Sequence, residues 1–241
     1  MRIGVLMTGR ARGTLAERFG EYARMFETFL GRADPEFAFE IVPVVDGVLP
    51  AAPDSCDGWI ITGSRHGVYD DLPWIAPLKA FLRAARARGA PIVGVCFGHQ
   101  ILAEAFGGRA AKHEGGWRLG THEFAFAPGP RWAKRAEGAL RLHSVHQDQV
   151  VAIPADASIW ATSPGCAYAA LIYGDPERPE AISVQPHPEF DPDFAAALVE
   201  HLDADGAVAP EVAAAARASL APVDNAALGR VFAEYFRTAR G

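Results

Sequence analysis

The sequence predicts an α/β fold in which a mostly parallel sheet is covered by helices. Three observations carry this expectation. Short β-branched runs alternate with segments of helical period along the first hundred residues, which is the pattern of strands joined by crossover helices. Half of the residues are hydrophobic, so a sizeable core can be built. The length of 241 residues suits one larger α/β domain.

Taken in order, Ile3 to Met7 reads as a first strand, followed by a turn rich in Gly and Arg at Thr8 to Gly13. An amphipathic helix is expected from about Leu15 to Leu30, a second strand from Phe37 to Val45 and a third from Asp57 to Thr62. Trp74 to Arg88 has helical period, and Ala90 to Val95 reads as the next strand. A helix from about His99 to Phe106 is stopped by Gly107-Gly108. The stretch from there to Phe126 suggests antiparallel strands or hairpins that extend the sheet. Ala127 to Pro130 is a turn, and Val151 to Pro154 leads away from a His-containing loop. Ala167 to Tyr173 with Ala181 to Gln185 forms a final strand pair across the turn-rich Gly174 to Pro179. Residues 1–195 are read as the main domain. Residues 196–241 are read as two or three Ala-rich helices packed on it, a composition that also allows a helical homodimer contact.

In such a sheet, ligands sit at the carboxyl ends of the strands, and one strand ends on chemistry. Ile92-Val-Gly-Val-Cys-Phe-Gly-His-Gln100 places Cys96 between an apolar strand and a helix start. Gly94 and Gly98 permit a sharp turn with close backbone approach. A thiol in that elbow has its pKa lowered by the helix N-terminus and a backbone N–H beside it for a developing oxyanion. On its own, Gly-x-Cys-x-Gly fits an inert buried thiol better. Val184-Gln-Pro-His-Pro-Glu-Phe190 changes that reading, because His187 supplies a base and Glu189 its orienting carboxylate.

Together, Gly94-Val-Cys-Phe-Gly-His-Gln100 and Gln185-Pro-His-Pro-Glu189 resemble the paired signatures of the class I glutamine amidotransferase family. The resemblance covers about residues 1–195, and Leu142-His-Ser-Val-His-Gln-Asp-Gln-Val150 stands where that family carries a His-containing loop lining the glutamine pocket. It implies a flavodoxin-like amidotransferase fold with extra C-terminal helices. It further implies Cys96 as nucleophile, His187 as base and acid, Glu189 as its orienter, and an oxyanion hole from the Phe97 and Gly63 backbone N–H groups. The family has Gly-Gly or Gly-Ser in a turn where this chain has Thr62-Gly63-Ser64, a modest departure. Gln100 would contact substrate, and the backbone of Ser144, Val145 and His146 would cradle its amino-acid end. Free-standing relatives resemble the amidotransferase part of GMP synthase, and some plant relatives are γ-glutamyl peptidases. Glutamine and γ-glutamyl peptides share the reacting acyl group, so the catalytic residues alone do not separate them. A non-catalytic regulatory protein on the same fold is a further reading, disfavoured because Cys96, His187 and Glu189 are all intact.

Other residues compete for roles. His99, in the first helical turn, points away from the thiol and is read as a packed histidine, while His143 and His146 are read as pocket formers. Gly67-Val-Tyr-Asp-Asp-Leu-Pro-Trp74 is either a recognition loop, making Tyr69 and Asp70 specificity candidates, or a capped helix entry. Arg10 and Arg12 would meet an anionic group at the strand ends or form a solvated face.

Charge and cysteine usage set the outer bounds. With 23 basic and 29 acidic residues the net charge is −6, which offers no broad basic surface and argues against a nucleic-acid partner. Cys56, Cys96 and Cys166 are odd in number and lack paired zinc spacing, so neither a disulfide framework nor a metal site is expected. The N-terminal run is too short for a signal-peptide core and no segment has membrane-spanning length, so a cytoplasmic protein is expected. No Gly-x-x-x-x-Gly-Lys phosphate loop occurs, so any ammonia-consuming synthetase would be a separate subunit; no cofactor is expected.

Overall fold

A computed structural model describes residues 1–239, so the last two residues of the 196–241 segment lie outside the described residues. The elements are β1 (Arg2–Leu6), α1 (Gly13–Phe19), α2 (Tyr22–Ala33), β2 (Ala38–Val42), β3 (Gly58–Ile61), α3 (Ile75–Ala87), β4 (Ile92–Val95) and α4 (Phe97–Ala105). They continue as β5 (Arg109–Lys112), β6 (Arg118–Phe126), β7 (Gly138–His146), β8 (Asp148–Ala152), β9 (Ala157–Ser163), β10 (Cys166–Tyr173) and β11 (Ala181–Val184). Three helices close the chain: α5 (Pro192–Ala204), α6 (Pro210–Ser219) and α7 (Asn225–Thr238).

Nine strands form one sheet in the order β2-β1-β3-β4-β11-β10-β9-β6-β7. The first five run parallel, and the sheet then continues antiparallel from β10 to β7. This is the predicted α/β architecture, a mostly parallel sheet flanked by helices. Every residue of β3, β4 and β11 is buried, because helices cover both faces of the sheet centre. One core packs Val5, Ile60, Val93 and Ile182 against Phe26 and Phe29 of α2 and Val231, Phe232 and Phe236 of α7. The other packs Leu6, Ile61 and Ile92 against Leu78 and Leu82 of α3 and Ile101 and Leu102 of α4. Helix α7 is fastened to the sheet by a polar contact as well, since the Ile92 backbone N–H donates to the Tyr235 hydroxyl at 3.2 Å.

The structure corrects several expected elements. The single helix from Leu15 to Leu30 is two, α1 and α2, because Gly20 takes φ 77° and ends the first. Between Gly107 and Phe126 only β6 extends the sheet; β5 pairs instead with β8 in a separate two-stranded ribbon. The His-containing segment is not a loop. His143, Ser144, Val145 and His146 lie in β7, paired with Thr121, Gly120, Leu119 and Arg118 of β6, and Val151 and Ala152 still belong to β8. Strand β9 is absent from the sequence expectation. Its isolated Trp160 and Ala-Ser-rich ends give a weak alternating signal, and its place is fixed by pairing with β10.

Candidate active site

The thiol stands at a forced bend. Cys96 has φ 54° and ψ −102°, the sole positive φ of a non-glycine residue in the described chain, a conformation costing about 1–3 kcal/mol that the surroundings must hold. Two glycines make it possible. A Cβ on Gly98 would lie 2.5 Å from the Ile61 carbonyl oxygen, and one on Gly94 would strike the Gly98 backbone, so α4 can approach the sheet only with glycine at both places. The Cys96 N–H donates to the Val184 carbonyl at 2.9 Å, which ties the elbow to β11. Phe97 opens α4, so its N–H belongs to the first turn, whose donors find no acceptor inside the helix.

The segment leaving β11 brings the other two residues. Gln185 N–H donates to the Ala169 carbonyl at 2.8 Å and His187 N–H to the His143 carbonyl at 2.8 Å, which fixes the backbone on both sides of Pro186. His187 Nδ1 is 2.7 Å from Glu189 Oε1, and the Cys96 sulfur lies near enough to favour the charged ring. Phe190 stacks on the imidazole at 4.1 Å with the planes 3° apart. Gly63 backs the ring from β3's end: a Cβ there would lie 2.8 Å from His187 Cε1, so any side chain would displace the imidazole. Cys96, His187 and Glu189 are each no more than 6 % exposed. Burial opposes the charged form of His187, but the Glu189 carboxylate and the Cys96 sulfur outweigh it and raise the imidazole to about 10. Nδ1 bonded to the carboxylate leaves Nε2 as the atom that can exchange a proton with sulfur.

Beside the thiol opens a cavity of about 320 Å³ lined by Cys96, Gln100, Val145, His146, Tyr69 and Asp70 among others. Gln100 is 3 % exposed, and its amide nitrogen donates to the Asp148 carbonyl at 2.8 Å and the Gln185 side-chain oxygen at 3.2 Å, which leaves its own oxygen as the acceptor available to a ligand. Tyr69 reaches over the cavity to Asp148, with its hydroxyl 2.9 Å from Oδ2, and Asp70 accepts the Gly67 N–H at 3.0 Å. The Ser144 side chain is turned into the interior and does not line this space.

Family membership now follows from more than motifs. The glutamine amidotransferase class-I family matches residues 38–199 of this chain, a span that runs from β2 into α5 and holds the whole site. The chain belongs to the class-I glutamine amidotransferase family. Among its relatives, γ-glutamyl peptidase 4 of Arabidopsis thaliana is 27% identical over 209 residues, covering 84% of this chain and 81% of that protein. A glutamine-hydrolysing GMP synthase subunit of Halobacterium salinarum is 33% identical over 149 residues, covering 61% of this chain and 74% of that protein. The crystal structure of a glutamine amidotransferase from Thermotoga maritima superposes with a TM-score of 0.74 at 16% identity over 98% of this chain and 97% of that one.

Three further histidines of this family member separate cleanly. His99 is fully buried between Ser183 Oγ at 2.7 Å and the Tyr168 carbonyl at 2.9 Å, and burial pushes it down to about 3, so it is a neutral packing residue. His146 is likewise driven down to about 3, chiefly by burial, and faces the cavity uncharged. His143 lies behind the site, 3.2 Å from the Thr121 hydroxyl, and is not a pocket former. Sequence reasoning missed Tyr22. Its phenol is pushed up to about 12 by burial and by the nearby Glu189 and Cys96, yet in sequence it is one more apolar position of an amphipathic helix. Among the described residues no helix is long and apolar enough to cross a membrane.

Proposed function

We propose that this chain is an amidotransferase-type hydrolase that cleaves the side-chain amide of glutamine through a cysteinyl thioester. The observation that carries this reading is the buried His187–Glu189 pair facing a thiol held in a strained elbow. In the ground state the raised imidazole keeps its proton beside sulfur, so Cys96 attacks the δ-carbonyl as a thiolate. The oxyanion forms between the Phe97 and Gly63 N–H groups, each such donor supplying about 3 kcal/mol of transition-state stabilisation. His187 then gives its proton to the departing nitrogen, the C–N bond breaks and ammonia leaves. Water, deprotonated by His187, adds to the thioester and releases glutamate. Glu189 holds the imidazole orientation and stabilises its positive form. None of these steps calls on a cofactor.

The amino-acid end of glutamine would lie on the Gln100 oxygen and the β7 backbone at Val145 and His146, with Tyr69 and Asp70 closing the pocket; Ser144, fully buried, does not reach it. Ammonia would pass to a separate acceptor or synthetase subunit in the cytoplasm, a role supported by likeness to a relative that is itself named as one subunit of a synthase. A second reading, hydrolysis of γ-glutamyl peptides by the same route, is favoured by the similarity to a plant γ-glutamyl peptidase along most of its length. Purified protein incubated with glutamine and with γ-glutamyl dipeptides should release glutamate, and the Cys96→Ala variant should not. Release from glutamine only after a synthetase is added supports ammonia donation; a silent wild type with an unreactive thiol supports a regulatory protein instead.

A further inference from the structure

One feature of the parallel sheet's carboxyl edge has no part in glutamine hydrolysis. The turn after β1 is pinned to the end of β3: Thr8 N–H donates to Thr62 Oγ1 at 3.0 Å and the Thr8 hydroxyl to the Thr62 carbonyl at 2.9 Å. Gly9 permits the contact, since a Cβ there would lie 2.8 Å from the Gly63 carbonyl oxygen. This clamp sets Arg10 and Arg12 beside Arg65 and His66 around a cavity of about 430 Å³. Arg65 and His66 also line the cavity that holds Cys96, so the two spaces share a wall.

Their charges differ. Asp70 and Asp148 line the thiol's cavity along with Arg65 and Lys112, whereas no carboxylate lines the second space. Arg10 is committed to Asp46 and Glu21, but Arg12 and Arg65 have no ion-pair partner among the described residues. Arg12 and Arg65, neither held in a salt bridge and both lining a concavity next to the one that holds the nucleophile, can receive a carboxylate. Ammonia as leaving group needs no such space; a departing peptide fragment with a free carboxyl group does.

We propose that the second cavity is a leaving-group subsite in which Arg12 and Arg65 hold the free carboxylate of a γ-glutamyl peptide. This rests on the thioester chemistry of the proposed function and selects the peptide as substrate class. Sulfur bonds to the γ-carbonyl carbon, the bond from that carbon to the peptide nitrogen breaks, and the freed amine takes the His187 proton. The fragment leaves along the arginine-lined space, and water then releases glutamate from Cys96.

The test compares kcat/KM for glutamate release from γ-glutamylalanine, from its C-terminal amide and from glutamine, in the wild type and in Arg12→Ala, Arg65→Ala and Arg65→Lys. The expected wild type prefers the free acid to the amide. Each alanine variant should lower kcat/KM for the free acid by about tenfold or more, with a smaller loss for the amide and for glutamine, and Arg65→Lys should recover part of the preference. Equal wild-type rates on acid and amide, or parallel losses on all three compounds, would overturn the subsite and leave the thioester chemistry standing. Absence of glutamate release from any compound, together with Cys96 labelled by a glutamine-like electrophile no faster than Cys56 and Cys166, would overturn both.

Discussion

The two halves of the central sheet do different work. In the parallel half, β3, β4 and β11 are buried along their whole length, and their carboxyl ends deliver Gly63, Cys96 and the segment bearing His187 to one point. In the antiparallel half, β6 and β7 mix buried with exposed positions, and β7 supplies Val145 and His146 to the pocket wall. A parallel sheet brings strand ends distant in sequence together at one edge, which suits a multi-residue catalytic centre. An antiparallel extension exposes a face and can vary without moving that centre. Substitutions in the first half should therefore remove chemistry, and those in the second should alter binding or stability.

The largest expected effect is at the elbow. Cys96→Ala should abolish glutamate release, a fall of about 10⁴-fold or more in kcat, with circular dichroism unchanged. Next comes Glu189→Gln, which keeps the shape of the buried side chain but withdraws the charge that raises His187. About 10²- to 10⁴-fold in kcat should be lost, and the alkaline limb of the pH–rate profile, expected near 10 in the wild type, should move to lower pH. A wild-type profile flat through this range would break the assignment of His187 as the proton-holding group. The same shift links to stability. Because the folded imidazole lies above its ordinary 6.5, its contribution is complete below that pH and is lost as pH rises through about 10. Urea midpoints of the wild type should fall across that window, and those of His187→Gln should fall less.

This contrast also explains what the sequence revealed. Buried parallel strands are short runs rich in Ile and Val, and Gly94-Val-Cys-Phe-Gly98 and Gln185-Pro-His-Pro-Glu189 are compact enough to be read directly. Strand β9 and the β5–β8 ribbon were not legible, because their pairing depends on partners far along the chain rather than on local pattern. Tyr22 and Arg65 are hidden for the same reason, whereas Arg12 is legible as a candidate to meet an anion but not as a neighbour of Arg65. Tyr22 gains significance only when α2 packs beside Glu189, and Arg12 stands beside Arg65 only when the Thr8–Thr62 contacts fold its turn onto β3. The break at Gly20 is different: a single glycine inside a helical period gave too weak a signal against the pattern on either side.

At the level of folding, the elbow glycines should be less tolerant than glycines of the antiparallel half. Gly98→Ala forces a methyl group to 2.5 Å from the Ile61 carbonyl oxygen, where both sheet and helix are fixed, and should cost about 1–3 kcal/mol or more in thermal unfolding. Gly138, at the start of β7, has open space around its Cα although its φ is 93°, so Gly138→Ala should cost only about 1–2 kcal/mol of backbone strain. Equal losses would mean that close packing at the elbow is not what separates the halves.

The smallest effect sharpens the comparison most, because it acts next to the site without belonging to it. The Thr121 hydroxyl of β6 meets His143 Nδ1 at 3.2 Å and accepts the Ala221 N–H at 3.3 Å. Thr121→Val keeps the shape and removes both contacts, which should lower stability by about 1 kcal/mol. His143 is held neutral, its pKa lowered to about 4 mainly by burial, and it meets the site through its backbone carbonyl, which accepts the His187 N–H at 2.8 Å. That carbonyl does not depend on the Thr121 hydroxyl, so kcat and its pH profile should stay where they are while the urea midpoint drops. A fall in kcat in step with stability would show instead that side-chain contacts in the antiparallel half govern the geometry of His187, and the division between the two halves of the sheet would not hold.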